Sequence, residues 1–339
     1  MGLFGGGDKS LLIKVRQALA SAKFCHTQAA LLSLCDVNKA VLKKDQLRLD
    51  IELSIGCDNH VERFKQQLIG LLADTCQFDQ LALNLSYQYK QLNTSEKIPG
   101  VKQVVLIASG KGGVGKSTTA VNLALALKSG GAKVGLLDAD IFGPSLPMML
   151  NGVGQKPEST DGKLLEPIVL GGLKTMSLGF LVAPNDATVW RGPMASRALS
   201  QLIFETNWGQ LDYLVVDMPP GTGDIQLTMT QQVPVSGAVI VTTPQNIALA
   251  DAQKGIAMFN KVNTPVLGVI ENMSYHQCGQ CGHTDHIFGR DGGDKMATDN
   301  QVTMLGHLPL LTSIREQTDC GQPTVLSQPQ STAALAYQD

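Results

Sequence analysis

Gly110-Lys111-Gly112-Gly113-Val114-Gly115-Lys116-Ser117-Thr118 is the stretch that decides the fold. It fits the phosphate-binding pattern of a glycine, four residues, then Gly-Lys-Ser. Glycines let the backbone curl so that successive N–H groups point inward at an anion. Lys116 adds a point charge for the β- and γ-phosphates, and the Ser117 hydroxyl is a ligand for Mg²⁺. Val104-Val105-Leu106-Ile107-Ala108 before it reads as a buried parallel strand. Ser117 to Lys128 after it carries apolar residues at helical spacing, so strand, loop and helix follow in the required order. The helix start then turns its positive dipole end to the phosphates. A glycine-rich turn that binds nothing would need those flanks to agree by chance.

Lys111, directly after the first glycine, narrows the class. Lys-Gly-Gly-Val-Gly-Lys-Ser resembles the deviant Walker A loop of the MinD/ParA-like ATPases. In those proteins the extra lysine reaches across a dimer interface to the partner's nucleotide. The resemblance therefore implies a homodimer with ATP at the seam.

Outward from the loop, residues 98–339 alternate apolar runs with helical patterns. The runs are Val104–Ala108, Val134–Leu137, Leu173–Leu178, Leu214–Val216, Ala238–Val241, Val266–Ile270 and Leu305–Leu308. Such alternation predicts an α/β fold with a mostly parallel, doubly wound sheet. Ligands in these sheets bind beyond the carboxyl ends of the strands. Residues 1–97 read as a small separate α/β unit. Lys9–Ala22 and Val61–Leu72 have helical spacing, while Gln46–Ile55 and Leu81, Leu83, Leu85 alternate as strands. Polar Lys90–Gly100 is the linker, and the unit itself reads as an accessory, partner-contacting domain.

Acids stand where the strands end. Asp217 closes Leu214-Val215-Val216, a place from which a carboxylate holds the Mg²⁺ shell. Met218-Pro219-Pro220-Gly221-Thr222-Gly223-Asp224 follows, a stiff exit whose glycines allow close approach to a γ-phosphate. Asp138-Ala139-Asp140 follows the second strand, and alternation gives its two acids different tasks. By resemblance to the family, Asp138 sits in the magnesium shell and Asp140 orients the attacking water, with Ile141–Ser145 as the first switch. Asn272 offers a donor and an acceptor that match the edge of adenine. A GTPase would carry Asn-Lys-x-Asp. The nearest stretch, Asn260-Lys261-Val262-Asn263, lacks the acid and precedes its strand, which favours ATP.

Seven cysteines, an odd number mostly scattered in apolar context, suit reduced thiols in a cytoplasm. Only Cys278 and Cys281 are close, within Cys278-Gly279-Gln280-Cys281-Gly282. Two thiolates at that spacing suit a metal knuckle. Zinc closed within one chain by Cys278, Cys281, His283 and His286 is one reading, and a redox dithiol is a second. The third is a cubane cluster, which needs four thiolates. One chain supplies two, and a twofold dimer supplies two plus two.

Here the resemblance becomes specific. The chain is similar to the Mrp/ApbC iron–sulfur cluster carrier ATPases in Ser109–Thr118, Asp138–Ser145, Val189–Met194, Asp217–Asp224, Glu271–Tyr275, the Cys278/Cys281 pair and Ile287–Gly289. That resemblance implies a labile [4Fe-4S] cluster across a homodimer, passed from scaffold proteins to apo-protein clients with slow ATP hydrolysis. A zinc-binding positioning or partitioning ATPase of the MinD/ParA kind is the competing reading. It would need a membrane-targeting tail or a basic patch, and the short polar stretch Ser327–Asp339 offers neither. That stretch ends early for a last helix. A net charge of −2 without a long basic run disfavours nucleic acid. No run approaches the roughly 18 apolar residues of a membrane span. The other cysteines and His307 read as structural residues.

Overall fold

A computed structural model of the chain describes residues 9–20, 22, 35–43, 45–53, 58–73, 77–87, 98–141, 143–159, 162–181 and 192–339. The chain divides into two compact units, Met1–Lys90 and Gln91–Asp339. The first contains α1 (Lys9–Ala20), β1 (Cys35–Lys43), β2 (Gln46–Leu53), α2 (Asp58–Ala73) and β3 (Gln80–Tyr87). Strand β2 is central, antiparallel to β1 and parallel to β3. Leu47, Leu49 and Ile51 of β2 are buried, with Leu11, Val15 and Leu19 of α1 and Phe64, Leu68 and Leu72 of α2. These are the period-two and period-four positions that face a common core. Strand β1 escapes the alternation rule for a physical reason. Its pairing shifts between Val37 and Lys39, so the buried residues are Cys35, Val37 and Ala40, out of phase. Burial, and then the charge of Asp36, pushes the Cys35 thiol up to about 11, which marks it as inert. Cys25, Cys57, Cys76 and the Cys57/His60 pair lie outside the residues whose side chains are described.

The second unit runs β4 (Val101–Ala108), α3 (Lys116–Ser129), β5 (Val134–Asp138), α4 (Leu146–Met149), β6 (Ile168–Leu170), β7 (Leu173–Ser177), α5 (Gly192–Phe204), β8 (Leu211–Asp217), α6 (Asp224–Gln232), β9 (Gly237–Thr242), α7 (Asn246–Lys261), β10 (Val266–Gln277), β11 (Thr284–Asp285), α8 (Gly292–Asp299), β12 (Met304–Pro309), α9 (Thr312–Asp319), α10 (Thr324–Ser327) and α11 (Thr332–Gln338). Among the described residues the strands lie in the order β12-β10-β9-β4-β8-β5-β7-β6, and β11 pairs with the far end of β10. Seven are parallel, as the alternation predicts, and short β6 and β11 are antiparallel. Chain order breaks at β4, which lies between β8 and β9, while α3 leads from β4 past β8 to β5. The carboxyl ends of β4, β5 and β8 therefore form one crevice.

Strand β10 is far longer than its apolar run. The last stretch of the chain also differs from expectation: Thr332–Gln338 is helical, capped by the Ser331 hydroxyl on the Ala334 amide at 3.2 Å. It buries Ala333, Ala334 and Tyr337 and packs on α3, which a reading of the stretch as a polar tail missed. No helix among the described residues is long and apolar enough to cross a membrane.

Candidate functional site

The phosphate loop joins β4 to α3 and is held from below. Gly113 (φ +83°) and Gly115 (φ +79°) adopt the left-handed conformation that curls it. Gly110 meets the backbone of Asp251 and Ala252 in α7 so closely that a Cβ there would collide with it. The Ser109 hydroxyl donates to the Lys111 carbonyl at 2.9 Å, and Thr119 to that of Gly115 at 2.9 Å. Buried Asn122 of α3 donates to Thr118 O and accepts from the Val325 amide, tying the helix to α10.

The Lys116 ammonium is buried against the Asp217 carboxylate and lies 3.3 Å from the Ser117 hydroxyl. Asp217 and Asp138 end neighbouring strands and are opposite one another in the ladder. Burial pushes Asp217 up, opposed by the Lys116 ammonium and a hydrogen bond from Ser117. Asp138, 2% exposed, is pushed up to about 7 by burial and then by the charge of Asp217, against hydrogen bonds from Leu146 and Asp140 and the Lys116 charge. Both its oxygens are engaged: Oδ1 accepts from the Asp140 amide, and Oδ2 from Ser145, Leu146 and the Ser177 hydroxyl, at 3.0–3.1 Å. Asp138 therefore anchors the turn that carries Asp140, and Asp140 is near enough to raise Asp217. Ser177, at the end of β7, carries no sequence signal for this role; only the strand order brings it here. Phe142 and Val189–Arg191 lie outside the described residues.

Asn272 sits beneath the loop. Its Nδ2 donates to Val114 O at 2.8 Å, and a Cβ on Gly115 would strike the same amide. Met273 follows in the left-handed conformation, φ +57°, a costly place for a bulky side chain. There the pairing of β10 with β12 slips, between Glu271 and Tyr275. Glu271, just before the kink, is buried and accepts from the Gly293 amide of α8 at 2.6 Å and from the Ser274 hydroxyl just past the kink at 2.8 Å. Neither Met273 nor Glu271 is legible as functional from residue type. Asn260–Asn263, weighed as a base-recognition tetrad, instead closes α7, with Asn263 at φ +56° and its amide on Asn260 O.

Beyond the kink β10 continues to Gln277, the residue before Cys278. His276 and Gln277 pair with Asp285 and Thr284 of β11, so Cys278 to His283 is the tip of a hairpin. The Cys278 amide donates to His283 O at 2.8 Å and the Gly282 amide to Cys278 O at 2.9 Å. Amide hydrogen bonds from Cys281 and Gln280 hold the Cys278 thiol below its usual range, which favours the thiolate a metal needs. Among the described residues no three His, Cys, Asp or Glu side chains converge on a metal-sized site. The one-chain zinc set is therefore not assembled. His286 places Nδ1 2.9 Å from Ser274 O, and His276 places its own 2.9 Å from Leu310 O. His307 pairs with Asp294 at 2.8 Å, and Cys320 is exposed.

Residues 100–339 match the family model described as ParA, NUBPL iron-transfer P-loop NTPase. The iron-sulfur cluster carrier protein of Haemophilus influenzae is 48% identical over 327 residues, 96% of this chain and 88% of that protein. The iron-sulfur cluster transfer protein NUBPL of Mus musculus is 55% identical over 248 residues, 73% of this chain and 77% of that one. Among solved structures, the ADP-bound nucleotide-binding protein of Archaeoglobus fulgidus superposes with a TM-score of 0.61 at 31% identity, over 72% of this chain and 94% of that one. The cell-division ATPase MinD of Pyrococcus furiosus, 24% identical with a TM-score of 0.52, shares the fold. The loop, the acids at the strand ends and the paired cysteines thus occur together in a chain that belongs to the NUBPL-type iron-transfer P-loop NTPases.

Proposed function

We infer that this protein binds and hydrolyses ATP and carries a labile [4Fe-4S] cluster, its cargo, which it transfers to apo-proteins. The observation that carries the reading is the hairpin tip, where two thiols stand together and no third ligand of the same chain joins them among the described residues. A cubane needs four thiolates, and a second copy related by a twofold axis supplies the other two. Lys111, beside the phosphate loop, would meet the partner's nucleotide across the same seam.

In this reading the loop amides of Gly110–Gly115 and the α3 N-terminus take the phosphates, with Lys116 on the β- and γ-phosphates and Thr118 in the first turn. The second hydrogen on Asn272 Nδ2 and its Oδ1 meet the adenine edge while the first hydrogen holds Val114. Two buried carboxylates facing one lysine form an oxygen-rich, electronegative set that suits Mg²⁺. Ser117 would hold that ion with Asp217, and Asp138 through water, where it would neutralise phosphate charge. Asp140, carried on the turn that Asp138 anchors, would orient the water. Hydrolysis is slow and coupled to cluster loading or release. The reduced thiols suit a cytoplasmic protein that receives its cluster from a scaffold.

Anaerobic reconstitution with iron and sulfide tests the cargo. It is expected to give a visible charge-transfer absorption and a dimer holding one cluster, both lost in Cys278→Ala and Cys281→Ala. A colourless protein with one zinc per chain rejects it. Lys111→Ala is expected to keep nucleotide binding and lose hydrolysis; an unchanged ATPase rate removes the shared seam.

A further inference from the structure

The turn after Asp217 is stapled from two sides. Gln226, in the first turn of α6, is 2% exposed, and its Nε2 donates to Pro219 O at 2.8 Å and to Gly221 O at 2.9 Å. One amide group thus spends both hydrogens on two carbonyls of one turn. From the other side, the Gly221 amide donates to Ser109 O at 2.9 Å, directly before the phosphate loop. Pro220 completes the seat, its Cγ within ordinary contact of a Cβ placed on Gly112.

These bonds dispose of most of the turn's polar groups. Pro219 and Pro220 have no amide hydrogen, and that of Gly221 is used. In a trans peptide the C=O and the following N–H point in opposite directions. With Gly221 O held on Gln226, the Thr222 N–H points away from α6 and out of the turn, and Thr222 is exposed. Gly221 holds φ +98°, a conformation that makes this orientation accessible to glycine and strained for other residues.

We propose that Gln226 is a positioning residue that turns the Thr222 peptide N–H toward the terminal phosphate of ATP, so that the site distinguishes ATP from ADP through this one staple. The proposal rests on the ATP reading above. The Gln226 side chain touches no nucleotide; it sets the direction of a backbone donor that does.

The experiment compares ADP with a non-hydrolysable ATP analogue by calorimetry, on the full chain with Mg²⁺. Gln226→Met keeps the length of the side chain and removes both donors. It is expected to leave ADP affinity within about twofold and to weaken the ATP analogue by about tenfold or more, as loss of a hydrogen bond to a charged group does. Turnover is expected to fall in kcat with little change in the binding of ADP as a competitor. Thr222→Pro deletes the donor itself with Gln226 intact, and the same selective loss is expected. Equal losses for both nucleotides, or an undiminished preference for ATP in Thr222→Pro, overturns the proposal. Wild-type protein that binds neither nucleotide overturns the ATP reading itself, an outcome distinct from either.

Discussion

Asn272 and Cys278 are six residues apart on one strand and its hairpin, yet their surroundings differ. Asn272 is 6% exposed and bonded into the loop of Gly110–Lys116. Around it, buried carboxylates, a buried lysine and backbone amides satisfy one another. Cys278 and Cys281 stand on a two-residue ladder at the edge of the sheet, among exposed Gly279, Gly282 and His283. The floor of the nucleotide end satisfies its polar groups within one chain, whereas in the proposed reading the cysteine end supplies half of a ligand set. A site for a phosphate needs fixed donors and a dry floor, and one chain builds both. A site that must release its cargo is served by few protein bonds and by access.

The sharpest way to break that contrast is Lys116→Ala. It leaves Asp217 buried without its counter-charge, and we expect loss of nucleotide binding together with about 3–5 kcal/mol of stability in denaturant melts. A variant as stable as wild type would mean that the nucleotide end is as loosely built as the cysteine end. Gly110→Ala comes next, because a Cβ would press on the α7 backbone, which has no rotamer to yield; we expect a loss of about 1–3 kcal/mol. Asn272→Ala strands the Val114 carbonyl, and about 1–2 kcal/mol with weaker nucleotide affinity is expected from paired melts and titrations. By contrast, Cys278→Ala at the exposed tip should shift the melting of cluster-free protein by less than about 0.5 kcal/mol. The smallest effect is kinetic. Since the Cys278 thiol is depressed, its thiolate fraction at neutral pH exceeds that of an ordinary thiol, and limited iodoacetamide should label Cys278 before Cys320. The advantage over an ordinary thiol should fade as pH rises and ordinary thiols ionise too, and persist at lower pH, where labelling slows without losing its order; mass spectrometry of peptides reads the order.

The same contrast divides what was legible in the residues from what was not. Phosphate binding needs a consecutive set of residues, so Gly110–Thr118 could be read directly, with its strand and helix. Asp217 was placed at a strand end because an apolar run stops at an acid. The parallel sheet followed from alternation, since buried parallel strands have no polar face. Strand β1 was missed because a bulge puts its buried residues out of phase. Strand β10 was cut short at Asn272, because its apolar run stops at Glu271 and the strand continues through polar residues, of which Glu271, Asn272 and Ser274 are buried. The helical end of the chain was misread because Ala333, Ala334 and Tyr337 form a face too narrow to signal by composition.

What the order of residues determined alone is local: the curl of the phosphate loop, the strand–loop–helix around it, and the spacing of two cysteines. What only the tertiary structure decided is which distant groups share a bond. Asp138 meets Ser177, Asn272 meets Val114, and Gln226 reaches Pro219 and Gly221. Adjacent residues limit the directions of a backbone, but which strands become neighbours depends on burying the whole sheet at once. For that reason partners far apart in the chain leave no mark on the residues between them.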